Sequence, residues 1–221
     1  MVTMMQRSRC LFEPLNLSGL TLANRIAVSP MCQYSAEDGA ANDWHLQHLG
    51  SLSLSGAALV IVEQTAVEPA GGISPWEGGG PLAPDAGAWA TVAPSAISFD
   101  DHWPAPQALD EAGLARIRDA HANAARRADR LGFDLVELLA ADGFLLHSFL
   151  SPIANRRTDS YGGSCANGMR YPLEVAAATR EAWPRRKPLG MRITRCDWVD
   201  GGITTDEAGI FASELCAIGW V

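Results

Sequence analysis

The chain has 221 residues, 48% of them hydrophobic and 19% charged, with 21 Gly and 13 Pro, a composition that excludes disorder, collagen and coiled coil. Its formal net charge of −8, without a basic run, argues against nucleic acid or an anionic membrane surface as partner. No apolar run reaches the roughly 18 residues that a membrane span needs, and the start MVTMMQRSRC lacks the apolar stretch of a signal peptide, so a cytoplasmic location is expected. Cys10, Cys32, Cys165, Cys196 and Cys216 are widely spaced and odd in number, which argues against a zinc ribbon or a disulfide framework.

Residues 11–25, LFEPLNLSGLTLANR, alternate around Ser18-Gly19 and predict a short hairpin. Ile26–Met31 reads as a buried strand that ends at Ser29-Pro30. A helix is expected from about Trp44 to Ser55, stopped by Gly56. Ala57–Val67, AALVIVEQTAV, is the strongest strand pattern, a near-continuous apolar run of the kind found in parallel sheets. Residues 68–109 differ: six Gly and seven Pro in 42 residues and no periodicity. From Asp110, the residues Leu114, Ile117, His121, Ala124, Ala128 and Leu131 fall at helical spacing up to Gly132. Phe133–Ala141 predicts a strand, 151–163 a polar loop, and Ser164 the cap of a helix to about Trp183. Pro188–Arg195 predicts another strand and Asp206–Ile218 a last helix. Alternating strands and helices predict an α/β protein with a parallel sheet, in one domain or two.

Parallel α/β folds bind ligands at the C-terminal ends of their strands. Four such ends carry polar groups: Ser29 to Tyr34, Glu63 to Ala66, Glu137 to Phe144, and Met191-Arg192-Ile193. At the first, a thiol and a phenol follow a strand, which fits either a site or ordinary packing. Arg192, near the middle of an apolar strand, implies an anionic ligand or a structural ion pair. His45 and His48, three apart on the first helix, lack a third metal ligand and read as packing or helix-surface hydrogen bonding. His102, His121 and His147 read as isolated, without a nucleophile partner. Gly78-Gly79-Gly80 lacks the Lys-Ser/Thr of a phosphate loop and reads as a plain loop.

Several segments together resemble the old yellow enzyme family of FMN-dependent NAD(P)H oxidoreductases, in the bacterial branch with Cys in the first strand-end motif. They are LFEPLNLSGLTLANRIAVSPMCQYS, DWHLQHLGS, VIVEQTAVEP, WEGGGPLAP, VAPSAI, GFDLVEL, FLSPIANRRTDSYGGS and MRIT, in family order along nearly the whole chain. The resemblance implies a (β/α)8 barrel, FMN as cofactor, NAD(P)H as reductant and activated alkenes such as enones as substrates. By the same resemblance Ser29, Pro30, Met31 and Cys32 line the flavin, with Cys32 tuning its potential and Tyr34 meeting substrate. Ala66 offers its backbone to the isoalloxazine, and Arg192 stands beside flavin N1 and O2, where a permanently charged guanidinium suits an anionic reduced ring.

Where family members carry two hydrogen-bonding residues and a proton-donating Tyr, this chain has Leu139, Asp142 and Phe144. Ala166 and Gly168 replace the family's usual Glu and Arg. Pro75 runs straight into Trp76, where the family has a helix and a third strand, and the chain ends where a sixth strand would begin. The expectation is a single, incomplete barrel domain over 1–221, lacking the third and the last three strands, whose open edges promote self-association. Two functions follow: an FMN-dependent ene-reductase, or a catalytically inactive remnant with weak or no flavin binding.

Overall fold

Leu15–Leu17 (β1) and Leu20–Leu22 (β2) pair antiparallel across Ser18, whose φ of 49° makes the turn, in a computed structural model that describes residues 10–68 and 88–220. The Gly78–Gly80 triplet, the WEGGGPLAP segment and the Pro75–Trp76 junction lie outside the described residues. The chain divides into two units, Met1–Thr65 and Ala66–Val221.

In the first unit, Ala27–Val28 (β3) pairs in parallel with Leu59–Val60 (β4), and the crossover holds the helix Asp43–Ser53 (α1). The Asn24 side chain sets this pairing: its amide donates to Gly56 O (2.9 Å), and its oxygen accepts from the backbone of Ile26 (3.0 Å) and Ala58 (3.3 Å). Both strands are shorter than their apolar runs. Pro30 has no N–H to extend the ladder, so Ile61 N–H to Val28 O (3.1 Å) is the last rung, and the expected Ala57–Val67 strand shrinks to β4. Asn42 caps α1 in a capping box closed by His45. Among the described residues of this unit Leu22 is the buried hydrophobic one.

The second unit opens with a parallel pair of two-residue strands, Val92–Ala93 (β5) and Gln107–Ala108 (β6), too short to leave a periodicity in the sequence. Glu111–Arg130 (α2) starts at Asp110, which accepts from Gly113 N (2.7 Å), and Arg127 and Arg130 complement its C-terminal dipole. Its buried stripe runs through Leu114, Ile117, Ala122 and Ala125, so Ala125 rather than Ala124 points inward, and Leu131 is exposed. Val136–Ala140 (β7) follows, then the unpredicted short helix Leu145–Leu150 (α3) and Cys165–Ala182 (α4) capped by Ser164. Leu189–Ile193 (β8) lies parallel to β7, with Val136 opposite Leu189 and Ala140 opposite Ile193, and Thr205–Ala217 (α5) closes the described chain.

The helices pack on one face of this last ladder. Leu138, Ala140 and Leu189 turn into a core with Phe149, Tyr171, Val175, Trp183 and Phe211. Within it Tyr171 O–H donates to Leu114 O (3.1 Å) and Trp183 Nε1–H to Pro188 O (2.9 Å), so the large polar aromatics are satisfied. Strand alternation sends Glu137, Leu139 and Arg192 to the opposite face. The described strands form separate two-stranded ladders and close no cylinder; the architecture is α/β, part of a parallel β/α barrel. No described helix is long and apolar enough to cross a membrane.

Candidate functional site

The expected site residues divide between the two units. Ser29, Pro30, Met31, Cys32 and Tyr34 belong to the first, and Ala66, Leu139, Asp142, Phe144 and Arg192 to the second.

In the first unit the segment past β3 is tied to the segment past β4. Glu63 makes the tie: it accepts Gln33 N–H (2.7 Å) and meets His45 Nε2 (3.1 Å). His45 Nδ1 lies 3.1 Å from Asn42 N and 3.0 Å from Asn42 Oδ1, and Trp44 Nε1–H reaches Gln33 Oε1 (3.2 Å). Ser29, Met31, Cys32 and Tyr34 are exposed and Pro30 is half-buried. Tyr34 takes a φ of 52°. The tie through Glu63 has one signal in the sequence, a lone carboxylate in an apolar run at a strand end.

In the second unit Leu139 and Arg192 are partners across β7 and β8. Arg192 Nε meets Glu137 Oε1 at 3.1 Å, both side chains partly exposed. Its two Nη groups have no partner among the described residues. Past β7, Asp142 takes a φ of 58° and gives its N–H to Thr194 Oγ1 (3.0 Å), while Phe144 stands half-buried at the start of α3. Past β8, Trp198 takes a φ of 61° and is 82% exposed, with the Arg195 guanidinium 5.2 Å from its ring centre. Tyr34, Asp142 and Trp198 thus each put strained, left-handed backbone just beyond a parallel strand, the usual address of function in such folds. Ala66 is exposed and outside any strand.

His147 is not isolated, which corrects the sequence expectation. It is buried on α3 and accepts Gly143 N–H at Nδ1 (2.8 Å). Its Nε2 lies 2.8 Å from Asp197 Oδ1 without a well-directed hydrogen bond. Asp197 Oδ2 also accepts Ser151 O–H (2.7 Å) and Ile203 N–H (2.8 Å). The Ser faces the Asp rather than the His, so this is no nucleophilic triad. Sequence reading missed the cluster because it joins α3 and its C-terminal end to a segment past β8, with Ser151 and Asp197 46 residues apart. His121 is also engaged: Nδ1–H donates to Ile117 O (2.8 Å), and burial holds its imidazole below the ordinary value.

Elsewhere burial, then Glu207, pushes the Cys165 thiol up. The Thr204 backbone and hydroxyl hold Glu207 below the usual carboxylate range. Among the described residues no three His, Cys, Asp or Glu groups converge as for a metal ion. An open cleft of about 490 Å³, lined by Pro94 to Ile97 and Arg156 to Asp159, contains none of the expected site residues.

Parallel β/α units with polar, strained residues at the carboxyl ends of their strands define a protein of the β/α-barrel class. The sequence matches the family described as NADH:flavin oxidoreductase / NADH oxidase over residues 10–80 and 76–219, and the chain belongs to that family. An NADH:flavin oxidoreductase of Gibberella zeae is 36% identical over 237 positions, covering 86% of this chain and 57% of that protein. An NADPH dehydrogenase of Clostridium acetobutylicum is 36% identical over 229 positions, covering 89% and 68%. Morphinone reductase, solved with tetrahydroNAD, superposes with a TM-score of 0.77 at 29% identity over 95% of this chain and 71% of its own. The chain therefore spans little more than half to about two thirds of the curated relatives' lengths. Both alignments exceed the 221 residues of this chain, so each relative carries residues without a counterpart here.

Proposed function

We propose that the chain is an FMN-dependent NAD(P)H oxidoreductase whose oxidising substrates are activated alkenes such as enones. One observation carries the reading: Arg192 stands on the face of the β7–β8 ladder away from the core, with both Nη groups unspent among the described residues. The donor chemistry fits the N1 and O2 edge of a flavin, since a guanidinium keeps its charge at any working pH. FMN, when bound, supplies a ring that takes hydride from NAD(P)H and gives it to substrate. The exposed Cys32 thiol tunes that ring, the backbone of Ser29, Pro30, Met31 and Ala66 lines it, and Tyr34 meets substrate. The internal shortfall against the relatives fits loss of the family's third strand.

Leu139, Asp142 and Phe144 favour a second reading, a catalytically inactive remnant. A carbonyl oxygen that gathers negative charge needs donors already in place, and losing one typically costs about 10²–10³ in rate. Leu139 and the Phe144 ring have no proton to offer, and an ionised Asp142 repels the charge.

The purified chain titrated with FMN separates the readings. Quenched, red-shifted flavin absorption with bleaching by NAD(P)H under anaerobic conditions supports the oxidoreductase. A colourless chain that leaves the FMN spectrum unchanged overturns it in favour of the remnant.

A further inference from the structure

Asp142, Gly143 and Phe144 form the turn that ends β7, with two consecutive left-handed residues, Asp142 at φ 58° and Gly143 at φ 80°. Such backbone in a non-glycine residue persists only where its surroundings hold it. Four hydrogen bonds do so. Asp142 N–H goes to Thr194 Oγ1 (3.0 Å) and Phe144 N–H to Ala141 O (3.1 Å). Ser148 O–H goes to Gly143 O (2.9 Å) and Gly143 N–H to His147 Nδ1 (2.8 Å). The last is the one bond of the four whose acceptor can be lost to a proton. We propose that His147 is a positioning residue: its unprotonated Nδ1 anchors the Asp142–Phe144 turn, and protonation there releases the turn while Asp197 keeps the ring.

A nitrogen that accepts an N–H has no proton of its own, so the neutral ring is the Nε2–H tautomer facing Asp197. Adding a proton makes Nδ1 a donor aimed at a donor, and the Gly143 bond cannot survive. The imidazolium gains in exchange against the Asp197 carboxylate, which Ser151 and Ile203 hold in place. The clamp therefore has two settings rather than a gradual weakening.

Other ionisable groups on the packed elements are committed elsewhere or exposed. From α4, Tyr171 gives its hydroxyl to Leu114, Arg170 bonds Ser160, Glu174 accepts from Tyr161, and Arg180 bonds Trp183 and Pro184. Cys165 and Glu181 stand at its two ends, Cys165 against Glu207. From β7, Glu137 pairs with Arg192 on the face away from the core, and the Asp142 carboxylate is exposed. β5 contributes Val92 and Ala93. Asp197 is the charged partner.

Only the consequence for turnover, through the substrate-facing positions Asp142 and Phe144, rests on the proposed function; the clamp is tested on the full chain without flavin. Imidazole ¹⁵N shifts and the Gly143 amide are followed by NMR as the pH is lowered from 8 to 5. The wild type shows the Nε2–H tautomer at pH 8. On acidification the Gly143 amide moves with the same midpoint as the His147 ring and loses about tenfold in protection against exchange, corrected for intrinsic rate. His147→Asn places an amide oxygen where Nδ1 stood and holds Gly143 protected at both pH values. His147→Gln mimics the Nε2 side and leaves Gly143 unprotected throughout. An Nδ1–H tautomer at pH 8, a Gly143 amide indifferent to ring protonation, or an Asn variant that titrates like the wild type overturns the proposal. The wild-type tautomer and amide shift decide it even if neither variant folds.

Discussion

Replacing Asp197 tests the joint between α3 and the segment after β8. Its side chain is 6% exposed and receives Ser151 O–H, Ile203 N–H and the His147 ring at 2.7 to 2.8 Å. Asp197→Ala strands these donors. A buried donor without its acceptor costs about 1–3 kcal/mol, but the Ser151 hydroxyl can turn and neighbouring losses do not add. The expected total, from stranded donors that do not fully add, is about 2–4 kcal/mol. For a chain of this size each kcal/mol moves the melting temperature by roughly 2–4 °C, so far-UV circular dichroism should register a fall on the order of 10 °C. Asp197→Asn keeps the shape and one acceptor oxygen and should cost about 1–2 kcal/mol, chiefly where its amide faces a donor. Gly202→Ala attacks the same joint without removing a polar atom, because a methyl there would stand 2.5 Å from Asp197 Cβ and 2.7 Å from Oδ2 and must displace the carboxylate. It should approach the alanine variant in cost. An Asp197→Ala melt within 2 °C of wild type, or an Asn variant as damaged as the Ala variant, would refute the accounting.

Thr204→Ala removes the α5 capping box and should cost about 1 kcal/mol in urea unfolding at pH 7. Glu207 is held below the usual carboxylate range when folded, so its contribution is complete above the unfolded value near pH 4.3 and lost as pH falls through the folded one; Glu207→Gln should flatten the acid side of the stability profile, and an unchanged slope counts against the box. If the chain binds FMN, the combined Leu139→His, Asp142→His and Phe144→Tyr variant should raise enone reduction by at least about 10²-fold, measured as NAD(P)H consumption; no gain places the defect elsewhere. Leu46, Leu54, Phe99 and Leu131 are 76–88% exposed, and with open strand edges they should drive self-association; a monomeric peak in sizing chromatography would contradict this.

The elements most legible in the sequence are those with a local cap and a long period. α2, α4 and α5 begin at Asp110, Ser164 and Thr204, each a side chain that accepts a first-turn N–H, and the cap at Ser164 was readable directly. α3 was not, because it starts at Phe144 without a side-chain cap and spans six residues. β3 and β4 were found but overdrawn: apolarity marks burial, whereas strand length depends on where the partner's ladder stops, here at Pro30. Arg192 was legible as an anomaly, a charge in an apolar strand, but its Glu137 partner stands 55 residues away. The Asp197 cluster was illegible for the same reason, since a polar side chain in a loop gives no sign of its burial.

Variants in the two units will not report on the same thing. The second unit has a continuous core from Leu109 to Trp220, whereas among the described residues of the first the buried hydrophobic is Leu22, and its α1 buries none. Two-residue parallel ladders add little stability of their own. Substitutions at Cys32 and Tyr34, exposed beyond β3, should therefore leave the cooperative melt of the second unit in place. A change in flavin affinity or potential on Cys32→Ala can be assigned to the ring's surroundings, because little folding energy is at stake there. The reverse holds for Leu139 and Arg192. Their strands carry Leu138, Ala140 and Leu189 into the core, so any loss of function there must be set against a melt before it is read as chemistry. If Cys32→Ala lowered the main melting transition as much as Asp197→Ala, this division of labour would be wrong, and the first unit would owe its order to more than its own ladder.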